Sequence, residues 1–246
     1  MRNILLTIAY DGKNYHGWQI QKNALSVQEV FQNALFRVTG EENDIKGCSR
    51  TDTGVHANMY CVSFKTEHRI PVERIPAAVN NYLPDSIAVL SAKEADEGFH
   101  ARYSCKGKEY VYKIWNNHIR NPFLNGYALH YWCRLDMQAM KSAAEHFVGK
   151  HDFTSFCTVD NNRKKGDFHR TVECLAIKRE GDLVSITIRA DGFLYNMVRI
   201  IVGTLIYVSE GKIAPNDIPG IIEARERTLA GPTAPPVGLY LNKVFY

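Results

Sequence analysis

The residues best equipped for chemistry in this chain of 246 residues lie together at 48–60, which read Cys-Ser-Arg-Thr-Asp-Thr-Gly-Val-His-Ala-Asn-Met-Tyr. If the backbone is extended there, Arg50 and Asp52 point the same way, because side chains alternate along a strand. A neighbouring guanidinium keeps a carboxylate ionised. Gly54 lets the chain turn sharply or approach a ligand closely. An ionised Asp52 on a tight loop is suited to act as a nucleophile or a general base.

A purely structural Asp52 is the competing interpretation, because Asp often hydrogen-bonds its own turn before a glycine. The neighbouring residues argue against it. Arg50, Asp52, His56 and two threonines fall within seven residues, and the apolar-rich pattern of a buried strand follows at 59–64. Placing charge against a buried strand costs free energy, so charged residues kept there suggest a function.

The composition indicates a globular protein with one large domain or two ordinary ones: 45% of the residues are hydrophobic, 23% charged and 11% aromatic. No apolar run approaches the ~18 residues needed to cross a bilayer. The N-terminal apolar stretch reaches Asp11 and Gly12 too soon for a signal peptide. We therefore expect a cytoplasmic protein with no membrane partner.

The cysteines predict neither disulfides nor a metal site. They are scattered, form no Cys-x-x-Cys pair and accompany no cluster of histidines, as expected of reduced cytosolic thiols. They stand at positions 48, 61, 105, 133, 157 and 174.

The net charge of +4 permits a nucleic-acid partner without requiring one, and its distribution is more informative. Residues 1–98 carry ten Lys and Arg against twelve Asp and Glu, whereas residues 99–246 carry twenty against fourteen. The second half is the better candidate for a surface that binds a polyanion, although a solvated basic face gives the same pattern.

Hydrophobic periodicity predicts the order β-α-β-β-α-β for the first hundred residues. Ser26 and Glu29 form a capping-box pattern at the start of the first helix, and Gly40 is placed to end it. Pro71 is expected to open the second helix, which would run to residue 82.

The second half repeats strands and helices with longer insertions. A strand is predicted at 105–115, a helix capped by Asp136 and stopped by Gly149, and a hairpin of strands at 171–178 and 183–190. An apolar helix at 197–208, a helix at 215–229 and a strand at 238–245 complete the chain. The predicted class is α+β: two ferredoxin-like or RNA-recognition-like halves, 1–98 and 99–246, with largely antiparallel sheets and a catalytic cleft between them.

Six motifs in this order resemble the tRNA pseudouridine synthase A family over essentially the whole chain. They are Tyr-Asp-Gly at 10–12 with Gly-Trp-Gln-x-Gln at 17–21, Arg-Thr-Asp-x-Gly-Val-His-Ala at 50–57, Phe-His-Ala-Arg-Tyr-Ser at 99–104 with Lys-x-Tyr-x-Tyr at 108–112, Asp-Phe-Thr-Ser-Phe at 152–156, Met-Val-Arg-x-x-Val-Gly at 197–203, and Gly-Leu-Tyr-Leu at 238–241. Each motif alone is a weak indication, but six in order make coincidence untenable.

The resemblance implies an enzyme with the pseudouridine synthase fold, which detaches a uracil base, turns it and rejoins it to the same ribose through C5. It implies target uridines at positions 38, 39 and 40 of the tRNA anticodon stem-loop, a homodimer, no cofactor and no metal. The catalytic aspartate of the family falls on Asp52, its basic partner on Arg199, and the aromatic that packs on the target base on Tyr110.

Physical arguments agree with these roles. An arginine in an otherwise apolar helix is unfavourable unless it is paired, so Arg199 either pairs with Asp52 or extends to the surface. A base inside a helix must be flipped out and held by stacking, for which Tyr110 offers a face. Arg50 is a candidate either to hold the phosphate of the flipped nucleotide or to wedge into the gap that it leaves. His56 either contacts substrate or is a buried structural imidazole.

Further phosphate contacts are expected from basic side chains of the second half, although a solvated loop is an equal alternative for the central run. The candidates are Lys106, Lys108, Arg163, Lys164, Lys165 and Arg170.

Two other functions remain open from the sequence. Thr53, where the family most often has Ala, makes residues 52–54 read Asp-Thr-Gly, as in aspartic proteases. Those proteases need a second such triplet, which this chain lacks. The non-enzymatic alternative is an RNA-binding module in which Asp52 is structural.

Overall fold

The computed structural model describes residues 1–158 and 167–246. The strands of the described chain are β1 Arg2–Tyr10, β2 Lys46–Gly47, β3 His56–Thr66, β4 Ile87–Ala95, β5 Gly107–Trp115, β6 Leu129–His130, β7 Gly149–Asp152, β8 His169–Glu180, β9 Leu183–Ala190 and β10 Leu239–Phe245. The α-helices are α1 Val27–Thr39, α2 Ile75–Asn80, α3 Met137–Glu145, α4 Met197–Ser209 and α5 Ile218–Ala224. The predicted α+β class with mostly antiparallel strands is confirmed.

The described residues form two compact units. Unit 1 comprises Met1–Lys106 and Tyr240–Tyr246, and unit 2 comprises Gly107–Leu239. This division differs from the predicted boundary at 98/99, because residues 99–106 and the C-terminal strand belong to the first unit. Long-range bonds hold them there: the backbone N–H of Ala101 donates to Ser63 Oγ at 3.0 Å, and the Tyr246 hydroxyl donates to the Ala101 carbonyl at 2.8 Å.

The sheet of unit 1 is built around β1 and β3. β1 lies between β4 and β3 and is antiparallel to both, and β2 is antiparallel to β3. This order and these directions, with α1 and α2 as the connections, make the predicted ferredoxin-like β-α-β-β-α-β arrangement. β10 adds a short parallel pairing, in which Tyr240 lies opposite His56.

Helix α1 begins and ends where the sequence predicts. The Ser26 side chain accepts a hydrogen bond from the Glu29 backbone N–H at 3.3 Å. Gly40 adopts the left-handed conformation (φ 68°) and donates its N–H to the Phe36 carbonyl. Such a residue satisfies a carbonyl that a helix end would leave unbonded. The predicted second helix is shorter than expected, since a 3₁₀ turn at Val72–Arg74 precedes α2.

The sheet of unit 2 has the order β5-β9-β8-β7, antiparallel throughout, with β6 parallel to β5. β8 and β9 form the predicted hairpin, which turns at Gly181 with φ 58°. Alternate residues of β5 and β9 are buried, as in a sheet with one face against helices. The short strands β6 and β7 were not predicted.

Two helices of unit 2 end earlier than their patterns predict. α3 starts after Asp136, whose side chain accepts from two backbone N–H groups, but it ends at Glu145 rather than at Gly149. The predicted helix at 215–229 contains only the seven residues of α5, with a 3₁₀ turn on either side. Arg225 ends α5 because its φ of 53° is left-handed.

Candidate active site

Asp52 lies in the loop between β2 and β3, directly before a turn at Thr53 and Gly54. Gly54 has φ 78°, a conformation that favours glycine, and the Val55 N–H donates to the Asp52 carbonyl at 3.2 Å. β3 begins only at His56, so Arg50 and Asp52 lie in the loop before the strand, and their sharing of one side stays a prediction. Asp52 is half-buried and Arg50 is exposed.

A second loop, residues 11–18, braces the Asp52 loop through backbone contacts. The Trp18 N–H donates to the Thr51 carbonyl at 3.3 Å, and the Gly54 N–H donates to the Tyr15 carbonyl at 3.2 Å. A Cβ on Gly12 would stand 1.9 Å from the Val55 carbonyl oxygen. The two loops therefore approach too closely for any side chain at this position.

Aromatic side chains close the space beneath these loops. The ring of Trp18 stacks on Tyr60 with centroids 4.2 Å apart, and the Tyr10 hydroxyl lies 2.9 Å from Thr51 Oγ1. The Tyr60 hydroxyl donates to the Ser49 carbonyl. Trp18 and Tyr15 are 4% and 5% exposed, so these rings belong to the core of unit 1.

His56 is buried beneath the same loop, with 2% of its surface exposed. Its Nδ1 lies 3.1 Å from both the Gly12 N–H nitrogen and Asp11 Oδ1, and its ring stacks on Tyr240 at 4.6 Å. A neutral Nδ1 accepts from Gly12, whereas a protonated one donates to Asp11. Both arrangements favour the structural role of His56, and substrate contact by His56 stays a prediction.

Tyr110 is on β5 in unit 2, where its ring meets Phe193 edge to face at 5.0 Å. It is 6% exposed and lies on the same side of the strand as Tyr112, as predicted from their spacing. The Tyr112 hydroxyl donates to the Pro235 carbonyl at 2.7 Å. Burial raises the pKa of Tyr112, so this phenol stays protonated and remains a donor.

Arg199 is half-buried in α4, most of whose side chains are buried. Its Nε donates to the Ala234 carbonyl at 2.7 Å, and an η nitrogen donates to Asn196 Oδ1 at 2.9 Å. The Ala234 N–H donates in turn to the Arg199 carbonyl at 3.0 Å. These bonds fix the direction of the guanidinium and attach residues 231–235 to α4.

Small residues allow that segment to lie directly on the helix. A Cβ on Gly203 would stand 1.8 Å from the Pro232 carbonyl oxygen. The Gly231 N–H donates to Thr204 Oγ1 at 2.9 Å, and that hydroxyl donates to the Ile200 carbonyl. The position of Arg199 therefore depends on a backbone contact that only glycine at 203 permits.

The predicted phosphate ligands are only partly described. Lys106 is exposed and Lys108 half-exposed, while the guanidinium of Arg170 donates to the carbonyls of Asp167 and His169. Arg163, Lys164 and Lys165 lie outside the described residues. Whether any of these side chains contacts RNA stays a prediction.

Two classes of feature are not found within residues 1–158 and 167–246. No helix there has the length and apolar character needed to cross a bilayer. The same residues hold no group of three or more His, Cys, Asp or Glu side chains placed to bind a metal ion.

Comparison with known proteins decides the family. A family model described as tRNA pseudouridine synthase matches residues 6–104 and 143–246, which include the Asp52 loop and the Arg199 helix. The chain belongs to this tRNA pseudouridine synthase family. The resemblance inferred from the six motifs is confirmed, and the aspartic protease alternative is excluded.

Relatives within the tRNA pseudouridine synthase family match from end to end. The chain is 50% identical to the tRNA pseudouridine synthase A of Thermoanaerobacter sp. (strain X514) over 246 residues, which is the whole of both chains. It is 47% identical to that of Acetivibrio thermocellus and 46% identical to that of Ruminiclostridium cellulolyticum, again over both full lengths. Among solved structures, the chain matches one in an archaeal box H/ACA sRNP Nop10-Cbf5 complex at 14% identity. The match covers 82% of this chain and 42% of that chain, with a TM-score of 0.36.

Two of the motifs of this tRNA pseudouridine synthase family member have structural roles that the sequence does not reveal. The glycines at 12 and 17 bring the 11–18 loop against the Asp52 loop, which a glycine beside Tyr10 and Asp11 does not reveal by itself. The motif at 99–104 forms a fixed turn, whose bracing atoms on Ser63 and Tyr246 are far away in sequence.

Proposed function

We propose that this protein isomerises uridine to pseudouridine in tRNA. In this reaction the N1–C1′ glycosidic bond breaks, a C5–C1′ bond forms, C5 loses a proton and N1 gains one. The product has the composition of the substrate, so neither an oxidant nor a reductant is required. The end-to-end match to relatives that carry the name tRNA pseudouridine synthase A is the observation that supports this most strongly.

Asp52 is the proposed nucleophile. A carboxylate can form a covalent intermediate that divides one difficult step into two easier ones, with either the ribose C1′ or the base C6 as its target. The braced loop supports this role, because a nucleophile must be held close to its reactive geometry. Two hydrogen bonds between the loops supply that restraint: the Trp18 N–H donates to the Thr51 carbonyl, and the Gly54 N–H donates to the Tyr15 carbonyl.

Arg199 is proposed as the basic partner of Asp52, and Tyr110 as the aromatic surface for the flipped base. The two bonds from Arg199 to Ala234 and Asn196 support a fixed direction for its charge. Tyr110 is held by Phe193 and by its place in β5, which makes it a rigid platform. Arg50, exposed on the Asp52 loop, is proposed to contact the flipped nucleotide.

The finer assignment is the anticodon stem-loop, with target uridines at positions 38, 39 and 40, modified by a cytoplasmic homodimer that uses no cofactor. It comes from the family resemblance, and the basic side chains of the second half support a tRNA partner in general. A non-catalytic RNA-binding module is the remaining alternative, and the braced carboxylate favours the enzyme over it.

Nucleoside analysis tests this function. Unmodified tRNA transcript is incubated with the purified protein, digested, and its pseudouridine content measured, with the modified positions mapped on the intact product. We expect pseudouridine to appear at positions 38–40 without added metal or cofactor. A tRNA that binds but gains no pseudouridine would favour the RNA-binding module.

A further inference from the structure

A small cavity opens in unit 1 beside the Asp52 loop. Its volume is about 270 Å³. Among the described residues that line it none is Asp or Glu, whereas several are basic or aromatic. The lining side chains that matter here are Lys46, Ser49, Arg50, His100, Arg102 and Tyr103.

The turn at residues 100–104, which forms one wall, is rigidly held. Both backbone groups of buried Ala101 are bonded, the N–H to Ser63 Oγ at 3.0 Å and the carbonyl to the Tyr246 hydroxyl at 2.8 Å. Ser104 closes the turn, since its N–H donates to the His100 carbonyl and its hydroxyl oxygen accepts from the His100 N–H. These hydrogen bonds therefore restrain the backbone that carries the side chains of the turn.

This fixed turn presents an aromatic ring to solvent. Tyr103 is 78% exposed, and its ring centroid lies 4.3 Å from that of His100. The His100 ring is itself oriented, because its Nδ1 accepts from the Arg102 N–H at 3.1 Å. The guanidinium carbon of Arg102 lies 6.0 Å from the Tyr103 centroid. An exposed aromatic ring supported in this way, next to a cation, is a common platform for an unpaired base.

The positive charges of the cavity are mostly uncompensated. Lys46 forms an ion pair with Asp44 at 2.6 Å, and both side chains are largely exposed. Among the described residues, neither Arg50 nor Arg102 takes part in an ion pair. In a single RNA strand, phosphates and bases alternate. Two arginines with no carboxylate partner suit the phosphates, and the exposed aromatic ring beside them suits a base.

We propose that this cavity and turn form a second RNA subsite, in which Arg102 and Arg50 bind phosphates next to the target nucleotide and Tyr103 stacks on an unpaired base. The proposal rests on the proposed function, since it takes the ligand to be the tRNA whose uridine reaches Asp52. Arg50 links the Asp52 loop to the cavity, because it is two residues from Asp52 in the chain and also lines the cavity. The subsite would therefore position the strand that carries the target uridine.

Tyr103→Ala, Tyr103→Phe and Arg102→Gln test the subsite, with Arg69→Gln as the matched control at an exposed arginine outside the cavity lining. The affinity of each full-length protein for unmodified tRNA is measured by fluorescence anisotropy over a series of salt concentrations. We expect Tyr103→Ala to bind about tenfold more weakly, because base stacking is lost, and Tyr103→Phe to bind as wild type. Affinity falls as salt rises, and losing one phosphate contact makes this dependence less steep. Arg102→Gln should therefore reduce the magnitude of the slope of log affinity against log salt by roughly 0.7–0.9, and Arg69→Gln should leave it unchanged.

Wild-type affinity for Tyr103→Ala together with an unchanged salt slope for Arg102→Gln would overturn the subsite. Because Tyr103 and Arg102 are exposed, all the variants should keep the wild-type melting temperature, so a loss of binding reports on the contact. Binding is read independently of turnover. A wild-type protein that binds tRNA but forms no pseudouridine would overturn the proposed function, and the binding differences would still decide the subsite.

Discussion

The side chains proposed for chemistry are held by neighbours that the reaction itself does not require. Arg199 shows this most clearly, because Ala234 and Asn196 orient its guanidinium within unit 2. Arginine suits both bonds because its donors form a planar fork with fixed directions, whereas lysine places all its donors on one flexible ammonium group.

Arg199→Lys tests whether orientation as well as charge is needed. The variant keeps its positive charge but loses one or both bonds, so we expect turnover to fall at least tenfold and the free energy of unfolding to drop by about 1–2 kcal/mol. Turnover on tRNA and denaturant unfolding measure the two effects. Arg134→Lys, at an exposed position of the same unit, should change neither. An Arg199→Lys enzyme with wild-type turnover would show that charge alone suffices.

At the scale of elements, two loops in backbone contact position Asp52. The tightest approach is at Gly12, where a Cβ would lie 1.9 Å from the Val55 carbonyl oxygen. Backbone cannot move aside as a flexible side chain can, so a methyl group at this position must push the two loops apart.

Gly12→Ala should therefore impair turnover through the position of Asp52. We expect the free energy of unfolding to fall by about 1–3 kcal/mol, the usual range for overpacking, and turnover to fall with it. Gly98→Ala is the matched control, since nothing lies within 4 Å of a Cβ built there. Differential scanning calorimetry and a tRNA assay compare them, and equal behaviour of the two variants would contradict the bracing role of the 11–18 loop.

Several elements were predictable because the residues that begin or end them act through hydrogen bonds to their near neighbours in sequence. The Ser26 cap and the left-handed Gly40 act within one turn of α1, so the sequence pattern identifies both ends of that helix. The bounds that differ from the prediction have no such local signal in the sequence. The left-handed Arg225 ends α5 although its residue type gives no such indication, and the place of residues 99–106 in unit 1 depends on Ser63 and Tyr246.

The sequence singled out two residues of the candidate site, whose catalytic roles stay predictions. Asp52 stood out because polar residues crowd beside a buried strand, and Arg199 because it interrupts an apolar helix. The glycine contacts beneath Asp52 and the exposed Tyr103 turn were not predictable, because both depend on segments that meet only in the folded unit.

At the scale of the whole molecule, the substrate is large and polyanionic while the net charge is only +4. We therefore expect affinity to come from local groups of cations, such as the proposed contacts of Arg50 and Arg102, rather than from the overall field. The reaction, in contrast, is assigned to one carboxylate, so binding and turnover should separate when that carboxylate is neutralised.

Asp52→Asn makes this separation measurable with almost no change in size. Single-turnover pseudouridine formation and tRNA affinity are measured side by side for the wild type and the variant. We predict that Asp52→Asn forms pseudouridine at least roughly a thousandfold more slowly, because an amide cannot replace the carboxylate nucleophile, while its dissociation constant for tRNA stays within about twofold. Turnover by Asp52→Asn at the wild-type rate would contradict the assignment of Asp52 as the nucleophile.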